Sequence, residues 1–152
     1  MITKVRGSFK TFSGTITVAA DPLQSKVDAT VEVDSVDTGD ANRDGHLKSG
    51  DFFEIEKYPT MKLVSTGIVT KGSNYVLNGN LTIKGVTKSV PFDLEFDGVN
   101  TDPWGNVKAG FTATAEINRK DWGMEWNAAL ETGGVVVSEK IALTLDIQAV
   151  RA

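Results

Sequence analysis

Cysteine is absent from this chain of 152 residues, and histidine occurs once, at His46. Without cysteine there is no disulfide frame, no thiol nucleophile and no thiolate metal site. A single histidine cannot build a His-rich zinc or iron cluster, so neither metal nor cofactor is expected. Basic runs are missing as well. The net charge is −4, whereas phosphate backbones require clustered Lys and Arg, so no nucleic-acid partner is expected. No apolar stretch approaches the roughly 20 residues of a membrane-spanning helix, and no transmembrane segment is expected. The opening residues MITKVRGSF hold no apolar signal-peptide core, so the visible sequence reads as cytoplasmic. A periplasmic or exported location stays open should an N-terminal segment precede this start.

What is present is ordinary globular material. Hydrophobic residues make up 40% and charged residues 24%, which argues against long disorder. The length suits one domain over residues 1–152 with a core of its own.

The dominant pattern is period-2 alternation, the mark of strands with one face inside and one in water. Val5, Gly7 and Phe9 alternate with Arg6, Ser8 and Lys10; the apolar phase then slips to Phe12, Ile16 and Val18. That slip predicts a bulge or kink between Lys10 and Gly14. Val27, Ala29, Val31 and Val33 face one way while Asp28, Thr30, Glu32 and Asp34 face the other. Met61, Leu63, Val64 and Ile68 supply apolar residues in both phases. Tyr75, Leu77, Gly79, Leu81 and Ile83 form one row, and Val90, Phe92, Leu94 and Phe96 another. Pro91 lacks a ladder donor and belongs at a strand start, an edge or a bulge. After the turn at residues 102–106, where Trp104 is expected as a structural plug, come Val107, Ala109, Phe111, Ala113, Ala115 and Ile117. Thr132-Gly133-Gly134 interrupts the chain before Ile141, Leu143, Leu145, Ile147 and Ala149. About eight short strands with turns between them predict an all-β antiparallel barrel or sandwich. Small inward residues (Gly79, Ala29, Ala109, Ala113, Ala115) beside large ones (Phe92, Phe96, Phe111) suit either a hollow barrel or close interdigitation.

One long interruption separates these strands. Residues 37–59 carry His46, a dense set of charges and the pair Phe52-Phe53, with a short helix expected near residues 42–50.

The blocks VRGSFKTFSGTI, VDTGDANRDGHLKSGDFFEIEKYPT, NGNLTIKGVTKSVPFDLEF, DPWGNVKAGFTATAEINRKDWGMEWN and LETGGVVVSEKIALTLDIQAV occur in order along the chain. Together they resemble the YceI-like family of lipocalin-like, polyisoprenoid-binding proteins. The resemblance implies an antiparallel lipocalin-like β-barrel whose apolar tunnel holds an isoprenoid lipid, either a polyprenyl chain or an isoprenoid quinone. It also implies pairing as a homodimer and no catalytic centre. Transferred onto this sequence, the tunnel wall comprises Phe9, Val31, Val33, Leu81, Ile83, Phe92, Leu94, Phe111 and Ala113. Phe52, Phe53, Trp122 and Trp126 stand near its ends, and Arg43, His46 and Arg119 are candidates to meet a lipid head group by charge-assisted bonds. One departure stands out. The family's usual strand before the VRG-x-F block, ending in a stretch like FSVRH, has no counterpart in Met1-Ile2-Thr3-Lys4. A barrel short of one strand has two free edges, which strengthens the expectation of a homodimer or of an altered barrel.

The residues themselves allow two other readings. Asp40, Asn42, Asp44, Gly45 and Asp51 nearly match a calcium-binding loop, with Asp where a bidentate Glu is usual and no flanking helix pair. Asp40 or Asn42 capping a helix explains the same letters. His46 suggests a general base, yet no Ser or Cys partner stands in a recognisable motif, and a lone histidine is more often a hydrogen-bonded structural residue. The 20 carboxylates show no spacing that marks a glycosidase pair.

Overall fold

The computed structural model of the chain describes residues 5–127 and 138–151. Alternation becomes nine antiparallel strands among them: β1 (Ser8–Phe9), β2 (Phe12–Thr17), β3 (Lys26–Glu32), β4 (Val36–Asp37), β5 (Thr60–Lys71), β6 (Asn74–Ile83), β7 (Val86–Thr101), β8 (Val107–Asn118) and β9 (Lys140–Val150). A single α-helix, α1 (Ala41–Lys48), lies between β4 and β5, close to the predicted position. Seven strands form one sheet in the order β2-β3-β5-β6-β7-β8-β9, and β1 pairs only with β4. The sheet curls into a half-barrel, the lipocalin-like architecture expected. Among the described residues its outer strands, β2 and β9, are not joined by a ladder. The break at Thr132-Gly133-Gly134 and the start Met1-Ile2-Thr3-Lys4 fall outside the described residues.

Phase changes in the sequence mark where the sheet bends. Leu63 stands opposite Leu81 and Ser65 opposite Gly79, but Gly67 then meets Asn78 and Ile68 meets Leu77. The extra residue of this bulge moves the inward phase of β5 from odd to even numbers. Val64 is consequently left on the outer face, 43% exposed. A second bulge between Phe96 and Gly98 does the same on β7, where Phe96 faces Phe111 and Val99 faces Ala109. Near the N-terminus the expected kink takes another form. The chain leaves the β1–β4 pair at Phe9 and joins β3 at Phe12, so Lys10 and Thr11 absorb the slip.

Pro91 sits inside β7 opposite Asn78, but the β8 ladder begins only at Asp93. The strand is therefore paired on one side at Pro91, and the missing N–H faces a local edge. Val33 departs from its expected place. β3 stops at Glu32, and Val33 opens a short 3-10 turn, Val33–Ser35. There it is buried with its N–H bonded to the Pro59 carbonyl, outside the main core cluster, so it does not extend the inward row of Val31. Trp104 also departs from expectation. It is no plug, being 84% exposed at the β7–β8 turn.

The β6–β7 connection is a two-residue turn in which Lys84 and Gly85 both have positive φ, 52° and 74°. Such left-handed pairs match the twist of the flanking strands and favour glycine. Gly85 also lies under the Tyr58 ring, where an added Cβ would stand 2.8 Å from the ring edge. Gly85→Ala is expected to lower stability by about 1–2 kcal/mol, read as a lower urea midpoint with unchanged slope.

Candidate ligand-binding face

β3 and β5 are neighbours in the sheet, yet residues 33–59 intervene between them. The segment must leave and return at the same end of the half-barrel, and it closes that end. Its helix begins on Asp40, whose carboxylate accepts from the N–H groups of Asn42 (2.9 Å) and Arg43 (3.1 Å), an N-cap. Thr38 ties the helix down. Its hydroxyl donates to Asp44 (2.5 Å) and accepts from Arg43 Nε (2.8 Å), while its carbonyl accepts from Arg43 Nη2 (2.7 Å). Lys10 ties β1 to β4 through Asp37 at 3.0 Å. That bond, with the Gly39 N–H, holds the Asp37 carboxyl below its ordinary range. Lys84 at the β6–β7 turn reaches across to the Gly50 carbonyl, 3.0 Å.

The helix delivers Phe52 into the barrel end, 5% exposed. Trp122 enters from the 3-10 turn Arg119–Trp122 after β8, is 2% exposed, and donates its indole N–H to the Leu81 carbonyl at 3.0 Å. Arg119 is equally buried; its Nε donates to the Ser138 carbonyl (2.8 Å) and Nη1 to the Met124 carbonyl (2.5 Å), with the guanidinium 5.9 Å from the Phe52 ring centre. His46 stands edge-on to Phe52 (5.1 Å) and Trp126 (4.6 Å), and its Nε2 meets Asp51 at 2.8 Å. Together these groups make an aromatic plug in which the buried polar atoms are partnered.

Arg43, His46 and Arg119 are thus engaged in holding the lid and plug together. The near-calcium loop is dispersed: Asp40 caps the helix, Asp44 serves Thr38 and Asp51 serves His46. Among the described residues no three His, Cys, Asp or Glu side chains gather as a metal site. Phe9 and Phe53 pack edge-on at 5.8 Å beside the lid rather than along the sheet.

Beyond the plug, the concave face changes character along its length. Leu81, Ile83, Phe92 and Ala113 are packed inside the core with Leu63, Leu77, Val90 and Ile117. Gly79 serves close packing here, because the Leu63 side chain occupies the space a Cβ would take. Along β7 cover is then lost: Phe92 is 1% exposed, Leu94 half-buried, Phe96 49% and Val99 61% exposed. Phe111 and Ala109 on β8 are half-buried, and so is every inward residue of β9, Ile141, Leu143, Leu145, Ile147 and Ala149. Val27, Ala29 and Val31 on β3 match them from the far side. Among the described residues the half-barrel is therefore plugged at one end, while toward the other its apolar face is only partly covered.

Residue patterns point to several members of this face; the β9 row alternates as plainly, but alternation alone does not mark it as a site. Thr38, the hinge of the lid contacts, carried no sequence signal, because its partners meet it only through the fold.

Comparison with known proteins agrees with this architecture. Residues 1–149 match the family described as the YceI-like domain. A UPF0312 protein of Photorhabdus laumondii is 44% identical over 117 residues, covering 76% of this chain and 61% of the relative, so the match spans less than two thirds of that protein's length. A UPF0312 protein of Serratia proteamaculans is 39% identical over 147 residues, covering 96% of this chain and 73% of the relative. Among solved structures, a Campylobacter jejuni YCEI protein superimposes with TM-score 0.86 at 30% identity, over 100% of this chain and 88% of that one. BcnA of Burkholderia cenocepacia shares the fold, with TM-score 0.84 at 24% identity over 98% and 90% of the two chains.

Two outcomes follow from the plug. Phe52→Ala is expected to cost about 3–5 kcal/mol, measured by denaturant unfolding. Calcium or a chelator is expected to leave the melting temperature unchanged, since a ligand raises it only by binding the folded state.

Proposed function

The chain belongs to the YceI-like family, whose fold is known as polyisoprenoid-binding, and on that premise we propose that it binds and carries an isoprenoid lipid along its open concave face. The observation that carries this reading is the run of half-buried apolar side chains on β3, β8 and β9 that continues from the packed core to the open end. Soluble domains seldom leave a contiguous apolar surface uncovered unless something binds there. An elongated chain laid along these rows would bury its own methylenes with theirs. Each CH₂ removed from water contributes about 0.8 kcal/mol, so a long prenyl tail binds without needing a polar anchor.

The role is binding rather than catalysis. The family is one of binding proteins, and His46, the one candidate base, is held by Asp51 among aromatic rings at the plugged end. A prenyl tail or the tail of an isoprenoid quinone suits the face equally, because both present the same branched hydrocarbon. The free edges of β2 and β9 among the described residues support pairing with a second copy.

Native mass spectrometry of the purified protein with lipid extraction tests both points: an added mass matching an isoprenoid is expected, on a dimeric species. Ala109→Trp places an indole where β8 faces Val99 and Ala149, and is expected to remove most of that mass with little change in melting temperature. Unaltered lipid content in the variant sinks the proposed binding face.

A further inference from the structure

Among the described residues nothing covers Trp104, although an indole is ordinarily sheltered on at least one face. The turn beneath it is well braced. The Asp102 carboxylate accepts from the N–H groups of Trp104 (2.9 Å) and Asn106 (2.9 Å) and from the Asn106 side-chain amide (3.0 Å), with Lys108 at 3.6 Å. These bonds, the Asn106 amide foremost, hold the Asp102 carboxyl below the usual carboxylate range. The indole is held outward by a fixed turn.

Trp104 also has company. Val18 beyond β2, Val69 near the end of β5, Phe96 and Val99 on β7 and Val150 on β9 are all exposed large hydrophobics. Each lies at or toward the strand ends remote from the lid, Phe96 and Val99 on the concave face and Val69 and Val150 on the outer one, so exposed apolar side chains edge the open end of the half-barrel on both faces. Charges of both signs stand near this end: Lys71 pairs with Asp93 and Lys108 with Asp102, and Lys26, Arg151, Asp21 and Asp97 add more of each sign, so no single-sign cluster forms there.

We infer that this rim docks on the surface of an uncharged or zwitterionic lipid bilayer, with Trp104 seated at headgroup level. Tryptophan suits that layer because its ring is apolar and its N–H still reaches water and headgroups. The charge balance selects among surfaces: an anionic membrane is recognised by clustered Lys and Arg, and here the rim is balanced in a chain of net charge −4. The apolar side chains are spaced around an opening on separate strands. A fluid interface accommodates that spacing, whereas a protein partner would need a contiguous apolar patch with matching pockets. The inference rests on the proposed function in one respect: the opening it sets against the bilayer is the mouth of the lipid-binding face, through which a prenyl chain would pass without crossing water.

Flotation with phosphatidylcholine vesicles tests the docking, with the isoprenoid content of the same preparation measured in parallel. Wild type is expected to float, and Trp104→Ala to lose about tenfold of the vesicle-bound fraction, as the removal of a main interfacial anchor implies. Val64→Ser, an exposed apolar residue on the outer face away from the rim, is expected to float like wild type, and added salt to change nothing. Trp104 is exposed, so its removal leaves the fold intact and the loss can be assigned to docking. Docking is overturned if wild type stays down, if Trp104→Ala floats equally well, or if binding needs anionic lipid and vanishes with salt. A protein that carries isoprenoid yet never floats overturns docking while the carrier role stands. A protein that floats but carries no isoprenoid supports docking and removes the carrier role.

Discussion

Every strand of the main sheet must keep its apolar side on the concave face, and the rest of the structure depends on that constraint. A strand offers only two faces, so a slip of one residue would carry its apolar row into water. On β5 and β7 the apolar residues do change phase along the strand, and the bulges at Ser65/Gly67 and Phe96/Gly98 turn them back inward. The same bulges increase local twist, so the device that preserves the apolar face also helps curl the sheet into a half-barrel.

Curling creates two ends, and the chain treats them differently. At one end the excursion between β3 and β5 folds over the opening, and Phe52 and Trp122 fill it. The polar groups drawn in with them are matched: Arg119 to carbonyls, the Trp122 indole to the Leu81 carbonyl, His46 to Asp51. Burial without such partners would cost more than the aromatic packing returns. At the other end no comparable element covers the inward rows among the described residues. Side chains of the same type as those in the core are left half-exposed along β9 and β3. The difference between core and binding face is one of cover, not of composition.

That difference explains where residue patterns succeeded. Alternation along β3, β6, β8 and β9 identified the inward residues because period 2 is a property of the strand itself. It could not distinguish Leu81, packed against Leu63, from Ile147, half-open on β9, since both read as an apolar residue in phase. Val33 continued the β3 pattern and was nevertheless taken by a 3-10 turn, where its N–H pairs with the Pro59 carbonyl across the lid. The carboxylates of residues 40–51 were legible as a capped helix or a cation loop, and helix formation sent them to separate partners. Trp104 read as a plug because large aromatics are usually buried, but its place at a hairpin tip kept it out of any core.

An all-β antiparallel chain, its turn positions, the inward row of most strands, the helical insertion and the family are all legible in the amino-acid order alone. All of these follow from local periodicity, from turn chemistry or from blocks of residues read in order. Which end is plugged, which apolar rows stay half-open, where Arg43, His46 and Arg119 are engaged and that Trp104 faces solvent emerge only once the chain is folded. Those properties depend on what lies above a side chain after the sheet has curled, and the covering residues come from distant parts of the chain: Phe52 beneath Arg119, Trp122 on Leu81, Lys84 on Gly50.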